Sequence, residues 1–219
     1  MKRLMVWTGP VSSAKSTAAL GMAHRFQTMG LCVILVRPTC SVREHEECGE
    51  FKTKNGMPWL SFEVDMPWQI LTKVLEGADV VWIDEPALFK GNDLDLFNTV
   101  NEIRKDCIVM VSGIAATSEL EPFGTSAALL LATADEIIQC KGDCPFCGGI
   151  NNATRSLYMG DAPKDGKALV GGADVYQPAC PYCWTELIQL PPPDRRSWRG
   201  RLVRQSCGHL SADEADETV

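Results

Sequence analysis

Nearly continuous apolar runs of strand length alternate with longer stretches of helical character over residues 1–142. The runs lack a polar residue at every second position, which is the pattern of strands covered on both faces in a parallel sheet. Strands are predicted at residues 4–7, 32–36, 80–83, 108–111 and 136–139, and helices at residues 15–29, 68–76, 93–104 and 126–131. This alternation predicts an α/β domain over residues 1–142, with a doubly wound and mostly parallel sheet.

The pattern changes after this domain. Paired cysteines, glycines and short β-like pieces at residues 154–159 and 168–170 predict a small metal-stapled module over residues 143–190. Three prolines then interrupt the chain, and residues 191–219 are predicted to be a disordered tail. Five arginines within this tail suggest a nucleic-acid contact as the alternative, although the acidic end of the chain would offset their charge.

Composition narrows the classes of partner. The chain has 21 Lys and Arg against 28 Asp and Glu, a net charge of −7. This balance argues against broad nucleic-acid binding, which requires a basic face, so no stable nucleic-acid partner is expected. The apolar run at the start is too short for a signal peptide or a membrane span. The chain is therefore expected to be cytoplasmic, with no membrane partner and with its ten cysteines reduced or bound to metal.

A phosphate-binding loop is predicted where the first strand meets the first helix. The segment GPVSSAKS, residues 9–16, approximates the pattern G-x-x-x-x-G-K-S, with Ala14 in place of the second glycine. Lys15 would reach the β- and γ-phosphates and Ser16 would hold Mg²⁺, whereas the simpler interpretation is a serine-rich turn that caps a helix. If Ala14 needs a positive φ, the loop is strained. The predicted nucleotide-binding residues of the loop are Gly9, Ser12, Ser13, Ala14, Lys15, Ser16 and Thr17.

Two carboxylates follow the predicted strand at residues 80–83. Asp84 can accept from Ser16 or from a Mg²⁺-bound water at the carboxyl end of the sheet. Glu85 is expected to point elsewhere, because consecutive strand residues face opposite sides, and it could serve as a general base. The alternative is an ordinary acidic turn, with Pro86 ending the strand.

Two C-x-x-C pairs lie in the distal module. They supply four thiolates for a tetrahedral Zn²⁺, which would be structural because no coordination position remains open. A redox dithiol or an iron–sulfur cluster is the alternative. The predicted ligands are Cys144, Cys147, Cys180 and Cys183.

Together these residues resemble the thymidine kinase family of the cellular, tetrameric type, over about residues 3–184. The phosphate loop, the Asp84-Glu85-x-x-x-Phe89 segment and the segment GGADVY, residues 171–176, carry the resemblance. It implies an ATP- and Mg²⁺-dependent kinase that phosphorylates the 5′-hydroxyl of thymidine or a related pyrimidine deoxynucleoside, with Glu85 as catalytic base. It also implies a homotetramer and a zinc-anchored lasso that closes over the nucleoside.

The resemblance assigns further roles and exposes departures. Arg43 would lie near the phosphates, and the substrate-binding positions would be Thr154, Leu169, Tyr176 and Phe123. Ser41 and Ser118 replace an aspartate and a pocket phenylalanine of the family's motifs. With Ala14, these departures favour an alternative in which a zinc-containing nucleotide-binding protein has lost transfer. The retained Lys15, Ser16, Arg43, Asp84 and Glu85 favour the enzyme.

Overall fold

The computed structural model of the chain describes residues 1–39, 50–52, 58–74, 77–113, 115–160, 175–191 and 194–195, with only the backbone at 50–52, 58–60 and 73–74. It divides into two compact units. The first contains Met1–Gly9 and Ala14–Cys140, and the second contains Pro10–Ser13 and the described residues from Lys141 onward.

A β-sheet forms the centre of the first unit. Its strands are β1 (Leu4–Thr8), β2 (Val33–Pro38), β3 (Glu50–Lys52), β4 (Pro58–Val64), β5 (Val80–Asp84), β6 (Ile108–Gly113) and β7 (Glu136–Gln139). Within the described residues these seven strands lie in the order β3-β4-β2-β5-β6-β1-β7. All neighbouring pairs are parallel except the edge pair β3–β4. The mostly parallel sheet predicted from the apolar runs is confirmed.

Helices cover both faces of this sheet. They are α1 (Lys15–Thr28), α2 (Ile70–Val74), α3 (Asp95–Ile103) and α4 (Thr125–Thr133), with 3₁₀ turns at Pro67–Gln69 and Pro86–Leu88. On one face Leu20 of α1 packs with Trp82 and Met110 of the sheet. On the other face Val100 of α3 and Leu130 of α4 pack among the opposite side chains of the same strands. Burial on both faces explains why the strands read as continuous apolar runs.

The sequence predictions differ from the fold mainly at one edge. The five predicted strands are present, with ends that differ from the prediction by at most two residues, whereas β3 and β4 were missed. The helix predicted at residues 68–76 begins as a 3₁₀ turn at Pro67 and continues as α2. The β-like piece predicted at residues 168–170 lies outside the described residues.

The second unit contains two antiparallel strand pairs and one helix. The pairs are β8 (Gly142–Cys144) with β9 (Gly149–Ala153) and β10 (Arg155–Tyr158) with β11 (Tyr176–Ala179), followed by α5 (Pro181–Ile188). Its core is built from Leu157, Leu187 and the four cysteines of the paired motifs. The unit thus has its own apolar centre, organised around the thiols.

Arg195 extends this unit beyond the predicted end of the module. The residue is 8% exposed, and its guanidinium donates to the carbonyl oxygens of Tyr158, Ile188 and Leu190 at 2.7–2.8 Å. It therefore satisfies carbonyl groups at the end of α5. The rest of the predicted tail, from residue 196, lies outside the described residues. Among the helices that the structure describes, none has the length and apolar character of a membrane span.

Candidate active site

The loop between β1 and α1 contains left-handed backbone at two non-glycine residues. Ser12 has φ 58° and Ala14 has φ 57°, and Gly9 also has a positive φ. The strain expected for Ala14 is therefore present, since a left-handed residue with a Cβ costs about 1–2 kcal/mol. The chain adopts this conformation directly before α1, although alanine stands where the motif usually has glycine.

The N-terminus of α1 is suited to an anion. Ala14 is its N-cap residue and makes no side-chain cap hydrogen bond to the first turn. An alanine cannot satisfy the N–H groups there, and a phosphate at a helix N-terminus does so. Lys15, the first residue of α1, is only 7% exposed. Burial raises the pKa of the Cys140 thiol, and the nearby Lys15 ammonium partly offsets this shift.

The hydroxyl of Ser16 contacts the carboxylate at the end of β5. Ser16 Oγ donates to Asp84 Oδ1 at 2.9 Å and lies 3.2 Å from Asp84 Oδ2. The Asp84 side chain is 3% exposed. The structure thus brings together the two residues that the sequence predicts to hold Mg²⁺, and a hydroxyl beside a carboxylate is the oxygen donor set that this ion prefers.

Sequence reasoning missed Ser112, which also contacts this carboxylate. Ser112 is paired with Asp84 in the register of β5 and β6, and its hydroxyl donates to Asp84 Oδ1. The indole Nε1 of Trp82 donates to Ser112 Oγ at 2.7 Å. The available signal was positional: Ser112 follows the apolar run at residues 108–111 just as Asp84 follows the run at 80–83.

Glu85 lies one residue beyond β5. Its backbone is left-handed, with φ 51° and ψ 48°, and its N–H donates to the carbonyl oxygen of Ser112 at 2.9 Å. The sequence analysis expected strand alternation to direct Glu85 away from Asp84. This reason was wrong, because the strand ends at Asp84. The direction of the Glu85 side chain is set instead by a left-handed turn, a conformation that is uncommon outside glycine.

Gly113 allows this turn to pack against β6. A Cβ added at Gly113 would lie 2.6 Å from Cδ of Pro86, the residue that follows Glu85. Real Cβ atoms do not approach so closely, so any other residue would displace the proline ring. Gly113 is thus the second residue near the acidic pair, after Ser112, that no sequence motif indicates.

A cavity of about 250 Å³ opens at the carboxyl ends of β1, β5 and β6 in the first unit. It is slightly smaller than the roughly 300–1,000 Å³ typical of small-molecule sites. Phe123, predicted to bind substrate, lines it together with Thr8, Pro86 and Phe89. Ser118 does not line it; this side chain is 7% exposed and donates to Glu119 Oε1 at 2.7 Å.

The second unit holds the remaining predicted binding residues that are described. The ring centroids of Tyr176 and Tyr158 lie 5.4 Å apart, and the N–H of Thr154 donates to the carbonyl oxygen of Ala179 at 3.2 Å. Arg43 and Leu169 lie outside the described residues.

Two hydrogen bonds involve the loop segment Pro10–Ser13 of the same unit, one to β10 and one within the segment. The N–H of Val11 donates to Ser156 Oγ at 3.1 Å, and Ser13 Oγ donates to the carbonyl oxygen of Pro10 at 2.8 Å. Ser156 is buried on β10 and was not predicted as a site residue. A buried hydroxyl therefore orients one backbone amide of the loop.

The four paired cysteines converge in the second unit. Their sulfur atoms all lie within 4.8 Å of one another, and Cys147 Sγ is 3.9 Å from Cys180 Sγ. Zn–S bonds of about 2.3 Å in a tetrahedron place sulfur atoms about 3.8 Å apart, so the cluster can hold zinc. A hydrogen bond from Cys183 lowers the pKa of Cys144 to about 4, whereas burial raises the pKa of Cys180 to about 11.

Comparisons with known proteins identify the family of the chain. A family model described as thymidine kinase matches residues 2–184. The thymidine kinase of Mycoplasma genitalium is 27% identical over 179 residues, which cover 80% of this chain and 81% of that protein. The thymidine kinases of Pyrobaculum aerophilum and Pseudothermotoga lettingae are 28% and 26% identical; the matches cover 81% and 84% of this chain and 95% and 96% of those proteins.

Among solved structures, the flagellar accessory protein FlaH from Methanocaldococcus jannaschii gives a TM-score of 0.44 at 18% identity, covering 63% of this chain and 70% of that one. This likeness is too low to add to the argument. The family match, in contrast, extends from the first strand through the phosphate loop, the acidic pair and the cysteine cluster. The chain belongs to the thymidine kinase family and is a phosphotransferase enzyme.

Proposed function

We propose that the chain transfers the γ-phosphoryl group of ATP to the 5′-hydroxyl of thymidine or a related pyrimidine deoxynucleoside. The observation that carries this proposal is the hydrogen bond of 2.9 Å from Ser16 Oγ to Asp84 Oδ1. Asp84 directly precedes Glu85 in the sequence. The contact thus joins a phosphate-loop hydroxyl, a metal-binding carboxylate and a candidate base at one end of the sheet, where open α/β sheets bind their ligands.

The residues have distinct roles in this mechanism. The N–H groups of the loop and of the first turn of α1 bind the phosphates, and the Lys15 ammonium stabilises the charge on the transferring group. Ser16 and Asp84 would hold Mg²⁺, which when bound would neutralise charge on the phosphate oxygens. Arg43, by family resemblance, supplies a further positive charge near the phosphates.

Proton transfer is assigned to Glu85. Its carboxylate accepts the proton of the 5′-hydroxyl as that oxygen forms a bond to the γ-phosphorus, and the bond from phosphorus to the β–γ bridging oxygen breaks to release ADP. The left-handed turn at Glu85 supports this assignment, because strained backbone is concentrated at functional sites.

Nucleoside binding is assigned to the cavity of the first unit that Phe123 lines. By family resemblance, Thr154, Leu169 and Tyr176 are further candidates for contacts with the substrate. An aromatic wall and a few polar groups suit a pyrimidine ring. The wrong base edge would leave polar groups of the cavity unpaired, and the cavity would therefore reject it. The four cysteines would hold Zn²⁺, which would stabilise the second unit and, with all its coordination positions filled by thiolates, would take no part in the chemistry. The homotetramer of the family is part of the same proposal, and light scattering would test it against the 24.0 kDa monomer.

Nothing in the comparisons favours the alternative in which transfer has been lost. The deciding experiment is phosphate transfer from γ-labelled ATP, with Mg²⁺, to a panel of pyrimidine and purine nucleosides. We expect a labelled 5′-monophosphate from thymidine or a close relative and little from the purines. Binding of ATP to folded, zinc-loaded protein without transfer to any nucleoside would instead establish the nucleotide-binding alternative.

A further inference from the structure

A second serine lies against the carboxylate that is proposed to hold the metal. Ser112 Oγ donates to Asp84 Oδ1, the same oxygen that accepts from Ser16 Oγ at 2.9 Å. Ser112 is on β6 and Asp84 is on β5, directly opposite it in the parallel register. The carboxylate is thus contacted by one hydroxyl from the phosphate-loop side and by another from the neighbouring strand.

The direction of the Ser112 hydroxyl is determined by Trp82. The indole Nε1–H lies 2.7 Å from Ser112 Oγ, and an indole nitrogen can only donate. The serine oxygen must therefore accept from Trp82, and its single hydrogen is left to donate to Asp84. Trp82 and Asp84 are two residues apart on β5, so their side chains lie on the same face of the sheet.

Burial strengthens the two consecutive hydrogen bonds from Trp82 to Ser112 and from Ser112 to Asp84. Trp82 and Ser112 are both 0% exposed, and Asp84 is 3% exposed. Little water can compete for these groups, and hydrogen bonds in series within a low-dielectric environment reinforce one another. The Ser112 hydroxyl adds a contact from β6 to those that Ser16 makes with both carboxylate oxygens, and this further restricts rotation of the carboxylate about its Cβ–Cγ bond.

We propose that Ser112, oriented by the indole of Trp82, is a positioning residue that fixes the Asp84 carboxylate for the divalent cation. This inference rests on the proposed function, since it takes Ser16 and Asp84 as the metal-binding pair. Ser112 touches neither substrate nor cofactor in this account. It acts through Asp84, as groups behind a metal ligand commonly do.

The test measures metal binding directly. Mn²⁺ replaces Mg²⁺ and is followed by electron paramagnetic resonance in the presence of a non-hydrolysable ATP analogue. We expect Ser112→Ala to weaken Mn²⁺ binding about tenfold, since loss of a group behind a metal ligand costs about 10–100-fold in affinity. Trp82→Phe, which keeps an aromatic ring but removes the indole N–H, should weaken it by a smaller factor. In both variants kcat should fall while the KM for thymidine stays unchanged.

A matched control is available in the same sheet. Ser61 on β4 is also buried, at 8% exposed, and its hydroxyl has no hydrogen-bond partner among the described residues. Ser61→Ala should leave Mn²⁺ binding as in the unmodified chain. If Ser112→Ala does not fold, judged by circular dichroism and zinc content, Trp82→Phe alone decides the question.

Two failures can be told apart. If the unmodified chain binds no Mn²⁺ beside the nucleotide analogue, the proposed metal site itself is wrong, and this inference falls with it. If the unmodified chain binds Mn²⁺ and the folded Ser112→Ala and Trp82→Phe variants bind it equally well, only the positioning role is overturned. A change confined to the KM for thymidine would also contradict that role.

Discussion

The hydroxyl of Ser16 reaches both carboxylate oxygens of Asp84, at 2.9 and 3.2 Å, across 68 residues of sequence. The contact exists because α1 begins beside the carboxyl end of β5, where Asp84 is the last strand residue. Neither residue alone distinguishes a phosphate site from an ordinary helix start or strand end. Their contact makes the phosphate-site interpretation the better one.

Two substitutions at Ser16 should distinguish the contribution of its hydroxyl to the rate from that of side-chain packing. We expect Ser16→Ala to lower kcat by about a hundredfold, in the range seen when one polar group that stabilises transition-state charge is removed. Ser16→Thr keeps the hydroxyl and should retain most of the activity at saturating Mg²⁺. Steady-state rates over a Mg²⁺ titration provide the measurement. Equal loss in both variants would indicate a packing effect and contradict the role of the hydroxyl.

Gly113→Ala should impair catalysis through Glu85. The new methyl group would lie 2.6 Å from Cδ of Pro86, so the turn that carries Glu85 must move. A displacement of about 1 Å can cost on the order of a hundredfold in rate. Single-turnover rates and thermal unfolding, measured together, would show whether the rate falls further than stability explains.

Gly21 provides the control for that substitution. It lies within α1, and a Cβ there would meet nothing within 4 Å. Gly21→Ala should leave the rate unchanged and stabilise the helix by about 0.5–1 kcal/mol. If Gly113→Ala has the rate of the unmodified chain, the close packing of Pro86 is irrelevant to the position of Glu85.

The cysteine cluster predicts the metal content of the protein. We expect about one zinc per chain and loss of that zinc in Cys183→Ser, because a closed structural site needs all four thiolates. Without the metal the second unit should unfold at lower temperature, since metal binding and folding are coupled. Elemental analysis and limited proteolysis provide the readouts. Cys32→Ser, at an exposed cysteine outside the cluster, is the control. Iron in place of zinc would establish the iron–sulfur alternative.

The pH dependence of stability should include a contribution from Asp135. The backbone N–H of Leu4, at 2.7 Å, and the guanidinium of Arg104, at 2.8 Å, hold the pKa of Asp135 below its usual value. A carboxylate with a lowered folded-state pKa stabilises the fold above its unfolded pKa, about 3.9, and loses that contribution as pH falls through the folded value.

Asp135→Asn should therefore be less stable than the unmodified chain at neutral pH, and the difference should shrink under acid conditions. Chemical denaturation at several pH values measures it. Asp106→Asn, at an exposed carboxylate, is the control. If the difference in free energy of unfolding stays constant with pH, the negative charge of Asp135 does not contribute to stability.

The central strands were predictable because a strand that is buried on both faces has a continuous run of apolar residues. β4 was not, since Ser61 and Glu63 interrupt its apolar character. The position of Glu63 depends on tertiary structure: it pairs with Arg37 of β2 at 3.1 Å. Polar residues placed by such distant partners leave no periodic signal.

The same distinction holds at the site. Lys15, Ser16 and Asp84 follow recognisable elements and could be predicted from position and residue type. The position of Ser112 after an apolar run is visible in the sequence, but its role is not, because that role depends on the register between β5 and β6 and on the indole of Trp82. The left-handed turn at Glu85 is likewise a product of packing, since its N–H is held by the carbonyl oxygen of Ser112.

The most direct test of the account is the rate of γ-phosphoryl transfer from ATP to thymidine in the unmodified chain and in Glu85→Gln. The amide cannot accept the proton of the 5′-hydroxyl, so the rate should fall by about 10²–10⁴-fold while ATP affinity is preserved. Glu121→Gln, at an exposed glutamate, should match the unmodified chain. A Glu85→Gln rate within about threefold of the unmodified chain would contradict Glu85 as the base and the mechanism built on it.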